Sequence, residues 1–324
     1  MRLSIAFTGF ASLESTIPAV LAADEAGLDG VWVAEHIGFH DAVVPSAVYL
    51  RATRRLEVGL VGLSTATRHP GLTAMELLSL SEIAPGRVRV AIGTGDPGLV
   101  AKLGRRVTRP IQNVGAFVTS LRQALRGSDL KIQHPEFVFD GFRATPFGPP
   151  PPVDVMAIRP KMTKLAADVG DGLSISVGGS RAYIRETVAQ VAGDLAASRR
   201  ERSAFRVSAL AIGVIAEDLD AACGPVAAML AMFPQATAEY LARGVAEPGS
   251  LVAAEKQGPM AVMKMWPRKS IEQIAFVSTP SRLRETLDSY VATGIDELAL
   301  MLMGDPETHP ELIRQLAAAR PPRR

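Results

Sequence analysis

One alternation repeats from end to end of the chain: a short Val/Ile/Leu-rich run, then a longer Ala/Leu-rich stretch with helical spacing. That βαβα grammar predicts a parallel sheet wrapped by helices. Eight runs read as strands, at 2–8, 30–35, 57–63, 87–93, 153–158, 172–177, 206–214 and 296–302. Several are apolar almost throughout rather than alternating, as strands covered on both faces are. A turn recurs as well. An Ala-rich helix closes at glycine, and Asp or Gly immediately precedes the next strand, in AADEAGLDGVWVA from Ala22, AADVGDGLSIS from Ala166 and VATGIDELALML from Val291. Gly27, Gly170 and Gly294 are expected as left-handed helix caps, a conformation costly for other residues. Three returns of one turn argue for equivalent units closing on themselves. The expected fold class is α/β, a (β/α)8 TIM barrel forming a single domain over 1–324.

Two segments interrupt the pattern, one after strand four and one after strand seven. The stretch 127–152 contains GFRATPFGPPPP, whose prolines neither continue a helix nor donate in a central ladder, so a loop or small hairpin is expected. The stretch 233–269 mixes helical pieces with EPGS, QGPM and WPRK. It follows a strand at the end where barrels build their sites and reads as a lid or substrate wall.

Composition narrows the function. Hydrophobic residues are 48% and charged residues 21%, enough apolar side chain to fold. No apolar run approaches the ~18 residues of a membrane span. The opening MRLSIAFTGFASLE reads as a first strand rather than a secretion signal, and a cytoplasmic location is expected. Net charge is +2, with three arginines in the closing RPPRR, so the body carries no basic stripe for nucleic acid. The segment 320–324 is expected to fray as a flexible tail. Cys223 is the only cysteine, which excludes a disulfide framework and a cysteine-rich zinc site. Redox chemistry must therefore come from a cofactor.

Candidate chemistry clusters at strand ends. Gly93-Thr94-Gly95-Asp96-Pro97-Gly98 satisfies G-x-G-x-x-G directly after a strand. A dinucleotide site is rejected: the pattern falls on the fourth strand, Pro97 interrupts the turn into a helix, and no ribose carboxylate follows at the right distance. What remains is either a glycine-rich strand end that admits a flat ligand, with Asp96 in the same mouth, or a tight turn needing positive φ. Glu35-His36 closes the second strand, at the end where a polar pair is more often functional than at the other, although a histidine taken alone is more often a satisfied structural group. His36 and His40 are four apart, but Gly38 removes a shared helical face, so no metal site is expected. Thr65 and Thr67 are placed to cap a helix over 71–84, with Pro70 suited to its first turn. Arg159-Pro160-Lys161 opens the helix after the fifth strand. Ala157 to Arg159 could receive a phosphate there, aided by both cations; the alternative is a first-turn proline between surface cations.

Together GLDGVWVAEH (27–36), TATRHPGLTAMELLSLSEIAPGRVRVAIGTGD (65–96) and RPKMTKLAADVGDGL (159–173) resemble the bacterial-luciferase-like superfamily, in the branch of 5-deazaflavin enzymes similar to methylenetetrahydromethanopterin reductase. The resemblance implies a (β/α)8 barrel that binds reduced coenzyme F420, or FMN in sister branches, across its strand ends. By that resemblance His36 lies beside the reactive centre of the ring. Val61, Gly62 and Leu63 match a third-strand bulge that often carries a cis non-proline peptide. Gly93, Thr94, Gly95 and Asp96 match the loop touching ring and substrate, and Ala157, Ile158, Arg159, Pro160 and Lys161 match the phosphate turn. Arg159 departs from the pattern, which commonly has glycine there.

The implied activity is hydride transfer between the deazaflavin and a C=C or C=N bond of a small organic substrate. Asp96 would donate a proton if burial raises its pKa, and His36 would orient or polarise the ring. One rival is an FMN-dependent monooxygenase using O2, which needs a partner flavin reductase. Another is a barrel that binds a flavin without turnover. A homodimer follows from the resemblance alone.

Overall fold

The computed structural model describes residues 1–231, 257 and 268–322. Its strands are β1 (Arg2–Phe7), β2 (Gly30–Ala34), β3 (Glu57–Ser64), β4 (Val88–Gly93), β5 (Leu130–His134), β6 (Phe137–Phe142), β7 (Val153–Ala157), β8 (Gly172–Ile175), β9 (Arg206–Ile215), β10 (Phe276–Ser278) and β11 (Glu297–Leu302). Eight of them run parallel in the order β9-β11-β1-β2-β3-β4-β7-β8, and pairing of β8 with β9 closes the barrel. These eight are the runs read from the sequence, with ends shifted by at most two residues. The short β10 was not anticipated; it pairs with the last residues of β9.

The helices are α1 (Leu13–Glu25), α2 (Val43–Ala52), α3 (Pro70–Ile83), α4 (Pro97–Lys102), α5 (Pro110–Leu125), α6 (Pro160–Val169), α7 (Arg181–Ala197), α8 (Leu219–Ala231), α9 (Arg268–Ile274), α10 (Leu283–Val291) and α11 (His309–Ala318). None among the described residues is long and apolar enough to cross a membrane. The 127–152 segment forms the antiparallel hairpin β5–β6, whose Phe137 and Phe139 are buried beside Phe117 of α5. The expected insertion at 233–269 lies outside the described residues except for Arg268 and Lys269, which open α9.

The recurrent αβ turn is built by its aspartates. Asp29, Asp171 and Asp296 each accept, on a carboxylate oxygen, the N–H at the start of a neighbouring strand: Leu3 at 2.9 Å, Val153 at 2.9 Å and Val207 at 2.7 Å. Each is also paired with an arginine, respectively Arg320, Arg122 and Arg202. A short carboxylate thus satisfies an N–H that the parallel ladder leaves open. Gly27 and Gly294 have positive φ as expected, but Gly170 does not; its φ is −90°. Glycine serves there for a different reason: a Cβ would stand 3.0 Å from the carbonyl oxygens of Ala166 and Gly172. Arg320 also departs from expectation. Rather than fraying, its guanidinium is held by Asp29 and the carbonyls of Gly27 and Met1.

The N-terminal end of the barrel is sealed by charge. Arg206 of β9 reaches across to Glu57 of β3 and also meets Glu297 of β11 at 3.2 Å; because β3 and β9 are not neighbours, these groups lie inside the barrel. Glu297 is fully buried and accepts from Ser4 Oγ at 2.6 Å and Trp32 Nε1 at 3.0 Å. Arg89 grips the fully buried Asp154 through two bonds, at 2.6 and 2.7 Å. Burial opposes charge on Glu57, but the Arg206 guanidinium, with Arg2 and Arg89, holds its carboxyl below the ordinary range. Strand alternation carries the inward face upward through Trp32, Gly59, Ala91 and Ala299. Trp32 fits because a Cβ on Gly59 would come within 2.5 Å of its ring. The floor is closed, so a ligand enters from the C-terminal end.

Candidate active site

At the C-terminal mouth, β2 ends at Ala34 and delivers Glu35 and His36 into the loop before α2. His36 Nδ1 lies 2.7 Å from the Thr8 carbonyl oxygen, which can only accept, so the ring donates there and its orientation is fixed. Phe10 packs against the imidazole at 4.8 Å. Burial pushes the His36 pKa below the usual histidine value, while the Thr8 and Ala34 carbonyls and the Asp96 and Glu35 carboxylates pull the other way. The net result is a ring biased towards neutrality.

The third strand carries the expected bulge. The β3–β4 register slips between Val61 and Leu63, and Gly62 sits at φ +82° in the left-handed region. All described peptides are trans, so the cis bond suggested by resemblance is absent here. The Glu35 N–H donates to the Val61 carbonyl at 3.0 Å, and the Thr65 N–H to the Gly93 carbonyl at 3.0 Å. These bonds join the ends of β2, β3 and β4 into one arc that brings together His36, Val61 to Leu63 and Gly93 to Gly95. Ser64 Oγ stitches the arc further by donating to the Thr94 carbonyl at 2.8 Å. Gly95 is mandatory: its φ is +76° and a Cβ would lie 2.4 Å from Ser64 Oγ.

Asp96 is exposed and acts as the N-cap of α4, its Oδ1 accepting from the Leu99 N–H at 2.9 Å. Pro97 therefore opens a helix rather than interrupting one, and the burial on which the proton-donor expectation depends is missing. The cap of α3 differs too. His69, not Thr65 or Thr67, accepts from the Gly71 N–H at 3.0 Å through Nδ1, while its Nε2 donates to the Val138 carbonyl of the hairpin at 3.1 Å.

Next along the arc, β7 pairs with β4 and ends at Ala157. Ile158 and Arg159 lead into α6, with Pro160 at its first position and no side chain capping it. The first-turn N–H groups of a helix have no intrahelical partner, so this end offers amides and a positive dipole to an anion. Arg159 and Lys161 are exposed beside it. A neighbouring feature was passed over in the sequence: Gly178, Gly179 and Ser180 form a buried turn after β8, with Ser180 capping α7. Tyr183 of α7 ties this turn to the previous one by donating to the Ile158 carbonyl. The signal was present as SVGGS, a glycine pair between a strand and a helix.

A second feature missed from sequence is an ionic cluster on the outer rim. Arg68 is shared by Glu35, which it grips with two bonds, and Glu76 at 2.7 Å. These residues line a cleft of about 420 Å3 together with His36, Phe39, His40, Asp41, His69, Leu72 and Leu103. Burial raises the Glu76 carboxyl, and Glu35 and Asp41 add to the rise against the opposing charge of Arg68. Glu35 and Arg68 are 33 residues apart, so only the strand pairing reveals them as partners. No group of three potential metal ligands comes together among the described residues.

Among the described residues, the ends of β2, β3, β4 and β7 form an arc with a fixed histidine at one end and a helix start without a side-chain cap at the other. Known proteins resemble this chain in sequence and share its fold. The chain is 27% identical over 201 residues to the 5,10-methylenetetrahydromethanopterin reductase of Archaeoglobus fulgidus, covering 62% of this chain and 60% of that one. It is 31% identical over 200 residues to the F420-dependent glucose-6-phosphate dehydrogenase of Kineococcus radiotolerans, covering 55% and 58%. The chain thus spans about three fifths of the length of these relatives. The structure of the coenzyme F420-dependent tetrahydromethanopterin reductase from Methanopyrus kandleri superposes with a TM-score of 0.81 at 16% identity over 97% of both chains, which establishes the shared fold. Residues 4–297 match the family model described as luciferase-like monooxygenase, and the chain belongs to that family.

Proposed function

We propose that the protein is a coenzyme F420-dependent oxidoreductase that passes a hydride to or from a C=C or C=N bond of a small organic substrate. The carrying observation is the hydrogen-bonded arc of strand ends, where the β3 bulge at Gly62 and the Gly93–Gly95 turn lie beside His36, whose orientation Thr8 fixes and whose pKa burial lowers. The sequence relatives named for reduced pterin and F420 chemistry support the deazaflavin over its rivals.

When bound, the deazaflavin supplies a two-electron hydride step. The chain supplies orientation. Val61, Gly62 and Leu63 would back the ring, Gly93, Thr94 and Gly95 would flank it, and Ala157, Ile158, Arg159, Pro160 and Lys161 would hold its phosphate at the start of α6. His36, anchored by Thr8 and with its pKa lowered by burial, would present its imidazole to the reacting edge of the ring. Asp96 is assigned to the rim beside this edge, where its charge favours the protonated form of His36. Closure of the floor confines approach to one end, which keeps the reacting geometry reproducible.

The FMN reading retains the same arc and would require reduced flavin delivered by a separate reductase, with oxygen consumed. A non-catalytic flavin-binding barrel would use the arc without turnover. We further assign a homodimer, built on the exposed stripe Leu72, Met75 and Ile83 of α3 with Val44 of adjoining α2. These positions recur at helical spacing and would be covered by a second copy. Titration of the purified protein with F420 and with FMN, followed by spectra during exposure to imines, enones and O2, tests the reading. Tight F420 binding with substrate-dependent bleaching or recovery of its absorbance is expected. FMN binding with oxygen uptake and no F420 binding would overturn it.

A further inference from the structure

Three carboxylates share the outer cleft with one arginine. Glu35, Asp41 and Glu76 line it, and Arg68 is the only lysine or arginine among its described lining residues. Asp41 is engaged at the start of α2, where its Oδ1 accepts the N–H of Val43 at 2.7 Å and of Val44 at 2.9 Å. Arg68 therefore answers to Glu35 and Glu76. The side chains of Arg68 and Glu35 are only 15% and 13% exposed, so this pair is shielded from solvent as surface pairs are not.

The guanidinium is delivered by a tight turn at the end of β3. The N–H groups of Thr67 and Arg68 both donate to the Ser64 carbonyl at 3.2 Å, and the Ser64 hydroxyl donates to the Thr94 carbonyl, so the turn is braced against the Gly93–Gly95 loop. From there Nε and Nη2 of Arg68 meet the two oxygens of Glu35, and Nη1 meets Glu76 of α3 at 2.7 Å. Glu35 in turn donates its N–H to the Val61 carbonyl, and the next residue is His36. One planar fork thus ties the end of β2 to the end of β3 and to α3. A lysine carries the same charge on one nitrogen and cannot span both oxygens in this way.

We propose that Arg68 is a positioning residue for His36: its fork fixes the strand end from which His36 projects and cancels the charge of the carboxylate next to that ring. The proposal rests on the F420 reading only in placing His36 at the reacting edge. Glu35 and Asp96 face the imidazole and favour its protonated form, while His40, Asp41, Glu76 and Arg68 stand along the same cleft. With Nδ1 donating to Thr8, a neutral ring keeps an accepting lone pair on Nε2, whereas a protonated ring donates from both nitrogens. Leaving Glu35 bare would therefore change what His36 presents, without any contact between Arg68 and the reacting atoms.

The test follows the His36 ring by nuclear magnetic resonance across pH in the ligand-free protein. In Arg68→Gln the midpoint should rise by roughly 0.5–1 pH unit, and in Glu35→Gln it should fall by a similar amount. The double variant should return close to the native value. Opposite signs separate the proposal from a merely structural clamp, whose loss would wet the ring and raise the midpoint in both single variants. Should Arg68→Gln fail to fold, the same change on the Glu35→Gln background leaves no bare Glu35 and should still raise the midpoint above that of Glu35→Gln alone. Arg68→Lys keeps the charge and loses the fork: the midpoint should stay near native, while hydrogen exchange of the Glu35 N–H speeds up about tenfold or more. A midpoint that is unmoved or lowered when Arg68 is removed, or a rise in Glu35→Gln, overturns the proposal, as does native exchange at Glu35 in both Arg68 variants. Titration of the native protein with F420 is scored separately: its failure to bind removes the F420 reading and leaves the link from Arg68 to His36 standing.

Discussion

The two ends of the barrel solve opposite problems with similar residues. At the floor, Arg2, Arg89 and Arg206 are buried or half-buried and each meets a carboxylate, while Trp32 fills the space above. At the mouth, glycines replace bulk, and among the described residues the cations of the 102–109 and 159–161 segments are exposed without carboxylate partners. Pairing makes a plug of the floor, and the mouth carries no comparable ion-pair network among the described residues. The contrast assigns stability to one end and agrees with the proposal that chemistry belongs to the other, as in barrels generally.

The largest effect should come from breaking the plug. Arg89→Ala leaves Asp154, which is 0% exposed, without its guanidinium and should cost about 3–5 kcal/mol in urea unfolding. Arg89→Met with Asp154→Leu should recover most of that loss, because the interior is asked to bury no charge. A loss under about 1 kcal/mol for the single change would show that the floor is not the rigid end.

At the mouth, Gly95→Ala meets both a left-handed backbone and the Ser64 hydroxyl. It should lower F420 affinity more than tenfold while costing about 1–3 kcal/mol of stability. Unchanged affinity would remove the loop from the ring's contact surface. His36→Ala should then invert the floor's behaviour: turnover falls roughly a hundredfold, while unfolding shifts by only about 1 kcal/mol for the lost Thr8 bond. A variant that unfolds readily yet turns over normally would assign His36 to structure instead.

The smallest effect is a pH dependence. Burial lowers the His36 pKa in the folded state, so the folded protein binds fewer protons than the unfolded chain just below the ordinary value of about 6.5. Its contribution to stability is complete above that value and is lost as pH falls through the folded pKa. Nuclear magnetic resonance of the ring should show a midpoint below 6.5, and the stability gap between native protein and His36→Gln should narrow on acidification. A midpoint above 6.5 would mean that the Glu35 and Asp96 carboxylates outweigh burial.

The barrel was legible because period and punctuation agree: apolar runs at the eight strands, glycine turns between helix and strand, and prolines at the starts of α3 and α6. What lay hidden depends on partners distant in sequence. Arg206 and Glu57 are 149 residues apart, and Arg320 and Asp29 are 291 apart, so neither pair leaves a local trace. The reading of Gly170 as a left-handed cap failed because glycine answers to close backbone approach as well as to positive φ, and composition does not separate the two. Asp96 was read as chemistry because it follows a glycine loop, but the same residue before Pro97 is a helix cap. His36 was singled out by its place at a strand end and then by resemblance, whereas the Val61–Leu63 bulge came through resemblance alone and is visible in the register of β3 on β4.

The claim that a flat redox ring sits on the glycine arc is tested most directly by backbone hydrogen exchange with and without F420. Exchange should slow at His36, Gly62 to Leu63, Gly93 to Gly95 and the amides opening α6, while the floor around Arg89 and Glu297 stays unchanged. Protection confined to the outer cleft at Arg68 and Glu76, or absent from the arc altogether, would contradict the account.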